Sequence, residues 1–160
     1  MQKIIVLFGV SGSGKSIIGK RLSEDLQFYF IEGDDFHSND NIGKMKNRTP
    51  LNDLDRELWL NNINAEIKNL KRINIVLACS ALKEKYRKRL IKGIDADIFW
   101  VCLKGDFDLI QDRLEKRKNH FFNSDMLQSQ FDTIEYPDYC TFIDIDDKPQ
   151  VIVDLIKSKL

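Results

Sequence analysis

Residues Ile4 to Ser16 read IIVLFGVSGSGKS. Five apolar residues, Ile4 to Phe8, run straight into Gly9, and Gly9, Gly14, Lys15 and Ser16 fit the pattern G-x-x-x-x-G-K-[ST]. The residues that follow, IIGKRLSEDL, carry apolar side chains at Ile17, Ile18, Leu22 and Leu26, the spacing of a helix. Buried strand, glycine loop and helix start, in that order, are the setting a phosphate-binding P-loop requires. Gly9, Gly12 and Gly14 can take backbone angles that a Cβ forbids. The N–H groups of Gly9, Val10, Ser11, Gly12, Ser13 and Gly14 can then turn inward around phosphate oxygens. The helix that follows aims its unpaired N–H groups at the same point. Lys15 can reach β- and γ-phosphates, and the Ser16 hydroxyl can ligate Mg²⁺. The helix dipole contributes about 0.3–1 kcal/mol. A lysine about 4 Å from a phosphate is attracted by on the order of 4 kcal/mol before desolvation. Lys15 is therefore expected to be the most sensitive single position. The alternative is a chance match, and the strand and helix on either side weigh against it.

Working outward, the 160-residue length suits one domain, and a chain of this size can bury about 68–70% of its unfolded surface without a metal or disulfide. Lys plus Arg (25) equals Asp plus Glu (25), which gives no support to a nucleic-acid or membrane-surface role. No apolar run approaches the length of a membrane span. The chain runs directly into a strand with no basic leader, and Cys79, Cys102 and Cys140 are few, odd in number and set in apolar runs. Buried reduced thiols in a cytoplasmic protein are the expectation.

Strands are expected at Ile4–Phe8, Phe28–Ile31, Ile73–Cys79, Ile98–Leu103 and Thr141–Ile145. Helices are expected at Ser16–Leu26, Asp53–Leu70, Lys83–Lys92, Phe107–Arg117 and Gln150–Leu160. Near-continuous apolar strands separated by helices indicate a parallel sheet covered on both faces. Ligands of such sheets bind at the carboxyl ends of the strands. That rule selects the P-loop, Glu32-Gly33-Asp34, Ser80 to Lys83, and Lys104-Gly105-Asp106.

Asp34 follows the second strand in IEGDDFH, where it could orient or deprotonate a substrate hydroxyl. A turn aspartate is the plainer alternative. Glu32 could hold Mg²⁺ through water. Asn39 to Leu60 is too long and too polar for a simple connection. Asn52 can cap a helix that opens with Asp53, Asp55 and Glu57 and buries Leu58 and Trp59. Lys44, Arg48 and Arg56 near an aspartate fit a pocket for an anionic, hydroxyl-rich small molecule, and fit a solvated loop equally well. In ACSALKEKYR, a lysine in a first helical turn opposes the dipole, a cost offset by an anion opposite, and Arg87 lies one turn beyond Lys83. Arg113 and Arg117 lie one turn apart and could clamp phosphates or stack on an adenine ring. The polar break at Lys118-Asn119-His120 suits a lid. A surface role is the plainer one for His120, and His37 is undetermined; no metal-ligand spacing is present.

GVSGSGKS, GDDFH, NIGKMKNRTPLNDLDRELWL, ACSALKEKYR, LKGDFDLIQDRLEKRKNHFF and MLQSQFDTIE, in that order, resemble gluconokinases of the small P-loop type. The resemblance covers Lys3 to about Glu135. It implies ATP-dependent phosphorylation of D-gluconate at its 6-hydroxyl. It implies a three-layer α/β P-loop fold like that of nucleoside monophosphate kinases: a five-stranded parallel sheet, order 2-3-1-4-5, helices on both faces and a small helical lid. Residues 1–160 are then one kinase domain, with a substrate-binding excursion at about 35–60 and a lid at about 117–134, commonly in a homodimer. By the same resemblance Asp34 contacts the substrate hydroxyl, Arg56 and Arg87 hold its carboxylate or the transferring phosphoryl group, and Arg117 and His120 belong to the lid, whose arginine closes over the γ-phosphate as a catalytic group beside Lys15 and Asp34; Lys44 and His120 are placed with the substrate. Arg117, with Arg113, faces the nucleotide. Glu32 stands where the family often has aspartate, and YPDYCTFIDIDD after Glu135 is shorter than usual. The rivals are another small-metabolite kinase, of shikimate or nucleotide type, and a non-catalytic ATP-binding sensor. No N-K-x-D guanine-reading motif is present, and Lys15, Ser16 and Asp34 are all retained.

Overall fold

Alternation inside the first strand sets the layers. Ile4, Val6 and Phe8 pack into one apolar cluster, and Ile5 and Leu7 into a second on the opposite face of the sheet. The computed structural model describes residues 1–117 and 124–160. Among these the strands are β1 (Lys3–Phe8), β2 (Tyr29–Glu32), β3 (Ile75–Ala78), β4 (Asp97–Lys104) and β5 (Thr141–Asp144). All neighbours pair in parallel in the order β2-β3-β1-β4-β5. This is the expected α/β sheet.

The helices are α1 (Lys15–Leu26), α2 (Asn39–Lys46), α3 (Asp53–Asn69), α4 (Glu84–Leu90), α5 (Phe107–Glu115), α6 (Ser124–Thr133) and α7 (Pro149–Lys157). Trp59, Leu60, Ile63 and Ile67 of α3 and Tyr86 and Leu90 of α4 cover the first face. Ile18 and Leu22 of α1, Ile110 and Leu114 of α5, Leu127 of α6 and Ile152, Val153 and Ile156 of α7 cover the second. Helices therefore lie on both faces, and the carboxyl ends of the strands open onto one edge.

Three local expectations change. The polar excursion contains a full helix, α2, capped by the Ser38 side chain, which accepts from the Asn41 amide. Asn52 caps α3 as anticipated, in a reciprocal pair with Asp55. Trp59 is buried as anticipated, but Leu58 is 57% exposed because it falls on the outward side of α3. Finally, α4 begins at Glu84, not at Lys83. The Glu84 amide donates to the Glu135 carboxylate at 2.8 Å, and Arg87, Lys88 and Arg89 fall in the last turn. Lys83 is thus the N-cap and Lys85 stands in the first turn, where the acids Glu84 and Glu135 offset their charge at the positive end of the dipole.

Candidate active site

The glycine loop joins β1 to α1. Gly9 has φ 152°, and a Cβ there would meet the Leu103 carbonyl oxygen at 2.7 Å. Gly12 has φ 78°, and its Cβ would meet Leu114 at 2.8 Å. Both positions therefore exclude any side chain. Gly14 caps α1 in the left-handed region, with no side chain covering the helix amides and no acidic residue in the first turn. Those amides are left to an anion. Ser13 is buried, and its Oγ has no hydrogen-bond partner among the described residues. An orphaned polar atom inside a loop of inward amides fits a phosphate.

Lys15 Nζ donates to the carbonyls of Gly9 (3.1 Å) and Val10 (2.9 Å), so the side chain folds back across its own loop. Burial pulls its ammonium below the usual lysine range. The carboxylates of Asp34 and Glu32 push it back up, and the Arg117 guanidinium adds to the lowering. Lys15 thus senses acids from the end of β2 and a cation from the end of α5. Ser16 follows it in the first turn of α1. Glu32 closes β2. A hydroxyl and a carboxylate are hard oxygen donors of the kind Mg²⁺ takes alongside water and phosphate. Among the described residues no group of three or more His, Cys, Asp or Glu could hold a metal ion unaided.

Behind the loop lies a cleft of about 220 Å³ lined by Gly12, Ile17, Arg113, Arg117, Asp147 and Pro149, among others. Arg113 is fixed there by donating to the Ile145 carbonyl at 2.8 Å. Arg117 is exposed on the cleft wall. The two arginines anticipated on the nucleotide side are brought to the P-loop.

On the opposite side, Asp34 lies in a 3₁₀ turn, Gly33–Phe36, at the carboxyl end of β2, with its side chain 75% exposed. Two side chains hold this turn. The Trp59 indole N–H donates to the Gly33 carbonyl at 2.8 Å, and His37 stacks on Trp59 with ring centres 4.2 Å apart. Buried Asn41 places its Nδ2 3.2 Å from His37 Nδ1 and donates from the same nitrogen to the Asp55 carbonyl. With Asn41 donating, His37 Nδ1 accepts and the ring proton sits on Nε2, 3.9 Å from Asp34 Oδ1. Burial holds the His37 pKa below its usual value; Asp34 opposes this and Arg56 reinforces it. The sequence marks Trp59 only as a buried residue of α3, leaves His37 undetermined and does not single out Asn41. The only signal was a cluster of large and polar residues around GDDFH.

Arg56 donates to the Leu51 carbonyl (2.6 Å) and stands 5.7 Å over the Tyr86 ring. Lys83 lies 5.9 Å from the same ring. Cys79 ends the neighbouring strand, where burial pushes its thiol up to about 12 and the Asp34 charge adds to the push. It is a neutral wall, not a nucleophile.

Two residues expected at the substrate are engaged within the protein. Arg87 is 1% exposed. Its Nε and terminal nitrogens donate to Glu84, to the Tyr139 hydroxyl and to the carbonyls of Ala81, Leu82 and Glu135, and its guanidinium lies 5.0 Å over Phe8. All five N–H donors are used inside the protein. Arg87 is a structural hub that ties the β3–α4 corner to the chain entering β5. Lys44 is paired with Asp55 at 2.8 Å and so braces α2 against the cap of α3. His120 lies outside the described residues, as does part of the anticipated lid.

The comparisons agree with this geometry. A family model described as an AAA domain matches residues 5–125. The thermoresistant gluconokinase of Escherichia coli (strain K12) is 45% identical over 136 residues, covering 84% of this chain and 77% of the relative. The chain belongs to the gluconokinase family. A probable gluconokinase of Dictyostelium discoideum is 40% identical, with 98% and 86% covered. Among solved structures, a gluconokinase from Sinorhizobium meliloti 1021 superposes with a TM-score of 0.86 at 37% identity, covering 95% of this chain and 87% of that one. Membership of this P-loop kinase family carries ATP binding with it, and no described helix is long and apolar enough to cross a membrane.

Proposed function

We propose that this chain transfers the γ-phosphoryl group of ATP to the 6-hydroxyl of D-gluconate, giving 6-phospho-D-gluconate. The observation that carries the reading is the glycine loop, with Lys15 folded across it, the unpartnered Ser13 Oγ inside it, Arg113 and Arg117 in the cleft behind it and Asp34 in the turn that ends the second strand. A phosphate-binding cation, an acceptor-side carboxylate and a nucleotide-side arginine are the parts that in-line transfer needs.

Lys15 and the loop amides that are not already bonded, those of Gly12 and of Gly14 to Ser16, balance charge on the phosphoryl oxygens. Asp34, exposed and held by the Trp59–His37 stack, accepts a hydrogen bond from the attacking hydroxyl and takes its proton as transfer proceeds. Arg56, with Lys83 beside it, offers donors to the sugar-acid carboxylate. Arg113 and Arg117 flank the nucleotide. Ser16 would hold Mg²⁺ directly, with Glu32 acting through water, and the ion would supply charge neutralisation to the phosphates. Catalysis in this class depends mainly on positioning and electrostatics. Residues 1–160 act as one domain, with acceptor binding at about 35–60. A cytoplasmic homodimer completes the reading; light scattering on the purified protein tests the oligomer.

The decisive test is ADP release with Mg-ATP against D-gluconate, shikimate, a nucleoside monophosphate, glucose and no acceptor. Stimulation by gluconate alone is the expected outcome. Stimulation by another acceptor discards the substrate and keeps the chemistry, while ATP binding without any stimulation favours a sensor.

A further inference from the structure

The stretch MLQSQFDTIE contains a polar residue on an apolar face. Leu127, Gln130, Phe131 and Ile134 share one side of α6 at helical spacing. Leu127 is buried, Phe131 meets Phe107 edge-on at 5.5 Å, and Ile134 packs against both core clusters. Gln130 lies among them, half-buried. Both ends of its carboxamide bond to one residue of the glycine loop. The Ser11 backbone N–H donates to Gln130 Oε1 at 2.6 Å, and Gln130 Nε2 donates to Ser11 Oγ at 3.0 Å. The two residues are 119 positions apart.

Ser11 needs an outside hold. It sits between Gly9 and Gly12, both at positive φ, and the loop's own bond, from the Ser13 amide to the Val10 carbonyl, is 3.3 Å long. Gln130 supplies two shorter or comparable bonds from a packed helix. That helix is fixed in turn on the acceptor side. The Glu135 amide donates to the Leu82 carbonyl at 2.8 Å, its own carbonyl accepts from Arg87, and its carboxylate accepts from the Glu84 amide.

We propose that Gln130 is a positioning residue for phosphoryl transfer: by accepting from the Ser11 amide and donating to Ser11 Oγ it fixes the leading edge of the phosphate loop from the acceptor-side corner and leaves the Ser11 O–H as the oriented donor. The proposal rests on ATP binding at Gly9 to Ser16. Oriented donors matter more for the transition state than for ground-state binding. ADP, which lacks the transferred group, reports on the rest of the loop.

The test compares wild type, Gln130→Met and Gln130→Ala, each also carrying Ser11→Ala. The measurements are kcat with ATP and gluconate, ADP Kd by calorimetry, and Tm. Met keeps the bulk of the side chain and loses both hydrogen bonds. Both single variants are expected to lose at least tenfold in kcat with ADP Kd changed less than twofold and Tm near wild type. In the Ser11→Ala background the Gln130→Met penalty should shrink at least threefold, as expected of coupled neighbours. Full kcat in Gln130→Met overturns the proposal. So does an undiminished penalty beside Ser11→Ala, or a parallel fall in kcat, ADP affinity and Tm. Wild-type protein that binds no ADP overturns the nucleotide site itself, a failure distinct from the others.

Discussion

The two sides of the site are built differently. On the nucleotide side the backbone presents the functional groups. Glycine geometry turns amides inward, Ser13 Oγ is left without a partner, and Arg117 stands exposed at the cleft. On the acceptor side most charge is neutralised internally. Lys44 pairs with Asp55, Lys85 with Asp53, and Arg87 with Glu84. Among the described residues, Asp34 stays exposed there beside the stacked His37 and Trp59, and Arg56 and Lys83 lie over the Tyr86 ring. The difference shows that a basic residue in a functional motif can have its donors taken up inside the protein. A local motif identifies backbone donors directly, whereas a side-chain pocket depends on which charges are already paired.

Four outcomes would break or sharpen that contrast. The largest effect is expected at Lys15. Lys15→Ala should lower kcat roughly 10³–10⁵-fold, the range lost when a cation on the transferring phosphoryl group is removed. Its Tm should hold or rise, because burial already disfavours the charge. Steady-state kinetics with a thermal melt checks this, and retained activity would remove Lys15 from the phosphates. Next is Asp34→Asn, which should lower kcat by roughly 10²–10⁴-fold with ADP affinity unchanged, since the side chain is exposed and supports little of the fold. A defect confined to nucleotide binding would contradict the two-sided division.

Arg87→Ala should act on stability instead. Its removal leaves the carbonyls of Ala81 and Glu135 without their donor, at about 1–3 kcal/mol for each unsatisfied buried group, read by urea unfolding, while the gluconate KM of the folded fraction stays near wild type. A raised KM at unchanged stability would return Arg87 to the pocket. The smallest effects separate two neighbouring cations. Arg56→Ala should raise the gluconate KM about tenfold, equivalent to ~1.4 kcal/mol. Lys44→Met should cost less than about 1 kcal/mol of stability, as partly exposed ion pairs do, and leave KM within twofold. Equal KM effects at both would mean that the Lys44–Asp55 pair opens to the substrate.

Much of this was legible before any coordinates. IIVLFGVSGSGKS specifies strand, loop and helix within 13 residues, because glycine conformations and apolar runs act locally. The parallel sheet follows from the same kind of pattern, and so does the capping role of Asn52. The acceptor side resisted. Arg87 looks like a ligand-binding arginine in ACSALKEKYR, and nothing in that stretch reveals that the Tyr139 hydroxyl and the Glu135 carbonyl take its donors. The neutral tautomer of His37 depends on Asn41, and the hold on Asp34 depends on Trp59 of another helix. Gln130 reads as one more polar residue of a surface helix until α6 is seen packed beside the glycine loop. Local backbone geometry is written in consecutive residues. Which charges are satisfied, and which remain for a substrate, is decided by side chains from distant parts of the chain, and only the tertiary structure brings them within hydrogen-bonding distance.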